Sequence, residues 1–147
     1  MKNFFFLIIG LAFIGGCIYL FLQKPVPTRF NLIQIGDATF KVEIADTEKE
    51  RIQGLSGREG LEEGSGMLFV FDNPGKHGIW MKDMHFPIDI AWLDAQKTVF
   101  WVEKSVSPDT FPQVFYPPSE ALYVLEVPAG TFKKNHIDIG KMMYQTE

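Results

Sequence analysis

Hydrophobic and polar positions divide this chain into two unlike parts. From Phe4 to Leu22 the residues are apolar and uncharged, with Lys2 before the run and Lys24 after it. That length is about what a helix needs to cross a bilayer. From Phe30 onward the period shortens. Phe30-Asn31-Leu32-Ile33-Gln34-Ile35 and Thr39-Phe40-Lys41-Val42-Glu43-Ile44 flank Gly36-Asp37 and predict a hairpin. In the second run Phe40, Val42 and Ile44 alternate with Lys41 and Glu43, the mark of a half-buried strand.

Thr47 and Glu50 have capping-box spacing, so a short helix is expected to start there and to stop between Gly54 and Gly57. A loop at Glu62 to Gly66 precedes a strand at Met67 to Phe71, and Asp72-Asn73-Pro74-Gly75 predicts a turn. Further strands are expected at Ile79 to Met81, Ile88 to Leu93, Val99 to Val106 and Ala121 to Val127. The prolines between Ser107 and Pro118 forbid a central strand and predict a long covering loop with Phe111, Phe115 and Tyr116. A short helix begins around Pro128 to Thr131, and Lys141 to Tyr144 can close the sheet. Many short strands and few helices predict a mainly β fold, a compact sandwich or barrel with one or two short helices.

The organisation that follows is a membrane anchor or uncleaved signal at 1–24, a proline-stiffened linker at 25–29, and one β-rich domain at 30–147. Ile14-Gly15-Gly16-Cys17 also resembles a lipoprotein cleavage box that would lipidate Cys17, but the apolar run continues past it. Positive charge is nearly balanced across the segment, and the short amino-terminal tail favours a domain on the extracytoplasmic side, periplasmic or extracellular. Cys17 is the single cysteine, so the domain has no disulfide, thiol nucleophile or cysteine metal site.

Charge narrows the partners. All 18 acidic residues follow residue 30, whereas three of the 14 basic ones (Lys2, Lys24, Arg29) precede the domain. The domain thus carries 11 basic residues against 18 acidic, a formal charge of −7, with no basic stripe. Nucleic-acid binding is not expected. The membrane is the expected partner through the N-terminal segment, together with a small-molecule or envelope ligand of unknown identity.

Several separated motifs then carry a resemblance. They are Arg51-x-x-Gly54-Leu55-Ser56-x-Arg58-x-x-Leu61, Gly66-Met67-Leu68-Phe69-x-Phe71, Trp80-Met81-Lys82, Pro87-Ile88-Asp89-Ile90, and Val124-Leu125-Glu126-Val127-Pro128-Ala129-Gly130. In this order they resemble the domain-of-unknown-function family numbered 192, over nearly all of residues 38–144. The resemblance implies a compact β domain, often behind a signal or membrane segment, and no particular reaction. Where that family usually has Trp-Met-Lys-Asn-Thr, this chain has Asp83-Met84 after Lys82, followed by His85.

The candidate ligand pocket is Arg58, Trp80, Lys82, Asp83, His85, Asp89 and Glu126. Charged groups on strands this apolar must either satisfy one another or line a site. In an extended segment Trp80 and Lys82 point one way, Ile79 and Met81 the other. The bland alternative is a buried ion-pair network of Arg58, Lys82, Asp89 and Glu126 that locks strand register. No cofactor is expected. His77, Met81, Met84 and His85, with Met67, offer soft ligands for Cu(I) as a narrower alternative, though Met67 and Met81 also read as core filler. The main rival to a binding module is a hydrolase-type enzyme acting on an envelope component through Asp83, Asp89 and His85, although no serine elbow, phosphate loop or dinucleotide fingerprint is present. Trp80, Trp92, Trp101, Phe86 and Phe100 read mainly as core; a saccharide- or peptide-binding module would expose some aromatics in a row. The leading expectation is a non-enzymatic binding or accessory module of the cell envelope.

Overall fold

The computed structural model describes residues 30–146. The expected anchor, the linker and the question of Cys17 lie outside the described residues. Among the described residues no helix is long and apolar enough to cross a membrane.

The fold is mainly β. Strands β1 (Phe30–Ile35) and β2 (Ala38–Ala45) form the predicted hairpin. Gly36 turns with φ +59, and a Cβ there would fall 2.5 Å from the Asn135 carbonyl oxygen, so the turn tolerates no side chain. Helix α1 (Glu48–Gln53) starts with both halves of the predicted capping box. The Glu50 amide donates to Thr47 Oγ1 at 3.2 Å, and the Thr47 amide donates to Glu50 Oε2 at 3.0 Å. The helix stops at Gly54. Thr47→Ala is expected to cost about 1 kcal/mol by denaturant unfolding, with no change in the m-value.

Strand β3 (Ser65–Gly75) runs parallel to β2 and corrects one expectation: the chain does not turn at Asp72 to Gly75. It stays extended until Gly75 pairs with Ala121, with a register irregularity after Val70. Tertiary contacts override the turn-forming composition. Arg51 Nη1 donates to the Val70 carbonyl at 2.8 Å, and the His77 ring stacks on Phe71 at 3.4 Å. Pro74 falls in the irregular stretch, where a missing ladder donor costs little.

Strands β4 (Ile79–Trp80), β5 (Ile88–Leu93), β6 (Val99–Val106), β7 (Val114–Phe115), β8 (Ala121–Pro128) and β9 (Met143–Thr146) follow, with helix α2 (Thr131–Lys134) between β8 and β9. Seven strands form one sheet in the order β6-β5-β8-β3-β2-β1-β9, while β4 and β7 make a separate ribbon. The sheet curls into a half-barrel. Its outer strands approach at one end, where Thr98 bridges Met142 and the Met143 amide donates to the Lys97 carbonyl at 2.9 Å. The segment 107–118 is the expected covering loop, except that it holds a 3-10 turn at Pro108–Thr110 and the short β7.

Two apolar layers lie on opposite faces of this sheet. The inner one gathers Ile33, Ile35, Phe40, Val42, Leu68, Leu93, Leu125, Val127, Phe132 and Ile137 inside the curl. The outer one joins Met67, Phe69, Ile88, Ile90, Trp92 and Val124 of the sheet to Ile79 of β4 and to Leu55 and Met81 from the loops above. This is why every residue of β5 is buried. Trp92 is fully buried and donates its indole N–H to the His77 carbonyl at 2.8 Å. Both layers draw their members from residues 33–143, so a fragment that starts at residue 28 retains the whole core.

Candidate functional site

The register of the sheet decides which polar side chains meet. Along one line across the outer face lie Glu43 on β2, Met67 on β3, Glu126 on β8, Ile90 on β5 and Glu103 on β6. Asp89, one residue from Ile90, points to the other face. The two buried carboxyls of the described residues, Asp89 and Glu126, are therefore separated by the sheet itself.

Asp89 is well bonded. Its Oδ1 accepts from the Ser105 amide and its Oδ2 from the Phe132 amide, both at 2.8 Å. Ser105 sits at φ +54 near a register shift in β6, and α2 has Gly130 at its N-cap with no side-chain cap. One carboxylate thus fastens an irregular strand and caps a helix from across the core.

Glu126 differs. It is 4% exposed, and burial pushes its carboxyl up to about 8, offset in part by the charge of Arg58. No hydrogen bond holds the carboxyl down, so desolvation dominates. Arg58 is committed elsewhere: its Nη1 and Nη2 donate to the two Glu43 carboxylate oxygens at 2.5 and 2.7 Å. That fork raises the guanidinium's pKa further.

Above Glu126 is a crevice of about 60 Å³ between Gly54-Leu55-Ser56 on one side and Gly78-Ile79-Trp80 with Met84 on the other. Ser56 Oγ donates to the Lys82 carbonyl at 2.9 Å and the Gly57 amide to the Asp83 carbonyl at 2.8 Å, so the walls are tied together. Beside it a wider groove of about 510 Å³ runs along α1 over Glu43, Ala45, Arg58 and Met67. Gln53 and Gly54 border both.

The structure therefore brings together Arg58, Glu126 and Trp80 of the sequence candidates. Lys82 extends from the rim with Nζ 5.7 Å from the Trp80 ring centre. Asp83 and His85 are exposed on the turn, with Asp83 at φ +54. Asp89 leaves the group altogether, so neither the four-residue ion-pair network nor an Asp83–Asp89–His85 acid–base cluster forms. The alternation expected for Ile79 to Lys82 holds: Ile79 and Met81 are buried, Trp80 and Lys82 exposed. Of the proposed metal ligands, His77 is stacked on Phe71 with Nε2 3.1 Å from the Asn73 carbonyl, and Met81 faces the outer layer. Among the described residues no group of three or more His, Cys, Asp or Glu is placed to hold a metal ion. Sequence reasoning missed Glu43, because strict alternation with Lys41 makes it look like a solvent-facing charge.

Comparison with known proteins agrees with this architecture. A protein from Sinorhizobium meliloti 1021, provisionally described as a transcription regulator, superposes with a TM-score of 0.78 at 24% identity, over 83% of this chain and 98% of its own. A protein of unknown function from Novosphingobium aromaticivorans DSM 12444 gives 0.76 at 23% identity, over 82% and 89%. These likenesses show the fold alone. No curated protein matches. The model of the family DUF192, described as uncharacterized ACR, matches residues 31–144, and the chain belongs to that family.

Proposed function

We propose that this domain is a non-enzymatic binding module of the cell envelope, tethered by the apolar Phe4–Leu22 segment on the extracytoplasmic side, and that it takes its ligand at the Glu126 crevice. One observation carries the reading: a carboxyl is buried without a hydrogen bond beneath an opening to solvent. Almost wholly desolvated and bonded to no protein donor, such a group is costly to keep, and that cost points to a residue kept for recognition. A raised pKa also suits a general acid. On this face Glu43, two strands from Glu126, is locked to Arg58 by both oxygens, and Glu103, two strands away on the other side, accepts from the Trp101 indole, so neither stands beside Glu126 as a free second carboxylate. The acidic domain also argues against a nucleic-acid ligand.

Glu126→Leu tests the reading in the fragment 28–147. A site residue is expected to be replaced with a gain of about 1–3 kcal/mol at pH 7, because an unbonded buried polar group is exchanged for an apolar one. A loss above about 1 kcal/mol in denaturant unfolding would make Glu126 part of the architecture and sink the reading.

A further inference from the structure

The outer surface of the β4–β7 ribbon carries a row of exposed aromatics. Trp80 pairs with Val114, which places Gly78 opposite Tyr116 on the same side. A Cβ on Gly78 would fall 2.5 Å from Tyr116 Cε1, so glycine lets the tyrosine ring lie on the backbone. At the other end the Phe111 ring is 5.9 Å from Trp80, tilted by 58°. Tyr116, Trp80 and Phe111 remain 61%, 48% and 45% exposed. Tyr116 lies diagonally across the ribbon from Trp80 and Phe111 packs at an angle to it, so the surface presents three exposed aromatic rings close together. The edge of this row is also the rim of the Glu126 crevice, since Gly78 and Trp80 line it.

The geometry points to an oligosaccharide of N-acetylated amino sugars as the ligand, its ring faces stacked on Tyr116, Trp80 and Phe111 and one acetamido group seated in the crevice over Glu126. This rests on the crevice being a binding site. Three features support the class. Stacking on aromatic faces suits sugar rings, which present C–H groups on one side and hydroxyls at the edge. The crevice is narrow and walled by Leu55, Met84 and Ile88, a fit for a methyl group. Its floor is a carboxyl that burial keeps largely protonated at neutral pH, able to donate to an amide carbonyl. Glu43 neutralises Arg58, so the floor itself holds no excess charge and suits a neutral group, while the Lys82 ammonium stays at the rim beside Trp80, within reach of sugar hydroxyls.

The test titrates the fragment 28–147 at pH 6.5 with chitotetraose and with cellotetraose, which shares the ring faces but lacks acetamido groups. Calorimetry or amide NMR is the readout. Expected are saturable binding of chitotetraose, about tenfold weaker binding of cellotetraose, and a loss of about tenfold or more in Trp80→Ala. Trp80 is half exposed, so that variant keeps its fold, which its unfolding curve verifies. Equal affinity for the two sugars, no binding of chitotetraose at 10 mM (on the order of the weakest useful affinity), or an unchanged Kd in Trp80→Ala overturns the proposal. So does a Trp80→Ala variant that changes the sedimenting mass of the protein, because the row is then a contact between copies. If chitotetraose fails while Glu126→Leu is still stabilising, the saccharide falls and the site reading stands; if Glu126→Leu is destabilising, both fall.

Discussion

Asp89→Ala is expected to destabilise the domain by about 3–5 kcal/mol, the largest single effect of any polar substitution in it. The carboxylate accepts two backbone amides at 2.8 Å, and the Phe132 amide is buried. Removing it leaves that donor without an acceptor and frees the first turn of α2, whose Gly130 cap supplies no side chain. Phe132 and Ile137 then lose the geometry that seats them in the inner layer. The Ser105 amide suffers less, because its residue is exposed and water can replace the lost partner. Asp89→Asn retains one acceptor oxygen and is expected to cost about half as much. Equilibrium unfolding of both variants checks the order. A loss below about 1 kcal/mol for Asp89→Ala would mean that neither amide depends on the carboxylate.

The contrast between Asp89 and Glu126 also shows how far the sequence can be read. Both are acidic residues within apolar strands, and both were legible as costly to bury. Their partners were not. Glu126 meets Met67 and Ile90 through pairings 59 and 36 residues away along the chain, as the registers of β3 and β5 fix them. Hydrophobic alternation says which residues share a face within a strand, but not which face of the assembled sheet that is. Local features read well for the opposite reason. The Thr47–Glu50 capping box, the Gly36-Asp37 hairpin and the in–out alternation of Ile79 to Lys82 depend only on neighbours. The predicted turn at Asp72 to Gly75 failed because Arg51 and His77, distant or beyond the turn, hold that stretch extended. The aromatic content read mainly as core, which Trp92 obeys; the exposure of Trp80 follows from β4 pairing with β7 outside the main sheet.

The second large effect is the pH dependence that Glu126 brings between the usual carboxylate range and pH 8. The folded carboxyl titrates at about 8, against 4.5 for an ordinary glutamate. Between those values the folded chain keeps a proton that the unfolded chain has released. Stability therefore falls as pH rises through this window, and the loss is complete above the folded value. The full shift corresponds to about 5 kcal/mol, and water entering the crevice brings the measured loss down to a few kcal/mol. Glu126→Gln carries no titrating proton, so its stability relative to the parent is expected to rise by about 2–5 kcal/mol between pH 5 and pH 9. Arg58→Met removes the charge that pulls the carboxyl down and is expected to move the transition to still higher pH. Denaturant unfolding at half-unit pH steps measures all three. Parallel profiles for the parent and Glu126→Gln, within about 0.5 kcal/mol, would show that the carboxyl is solvated in the folded chain. The same curve bears on the ligand: a floor that loses its proton above pH 8 turns from donor to anion, and a site built to receive a neutral carbonyl would then reject it.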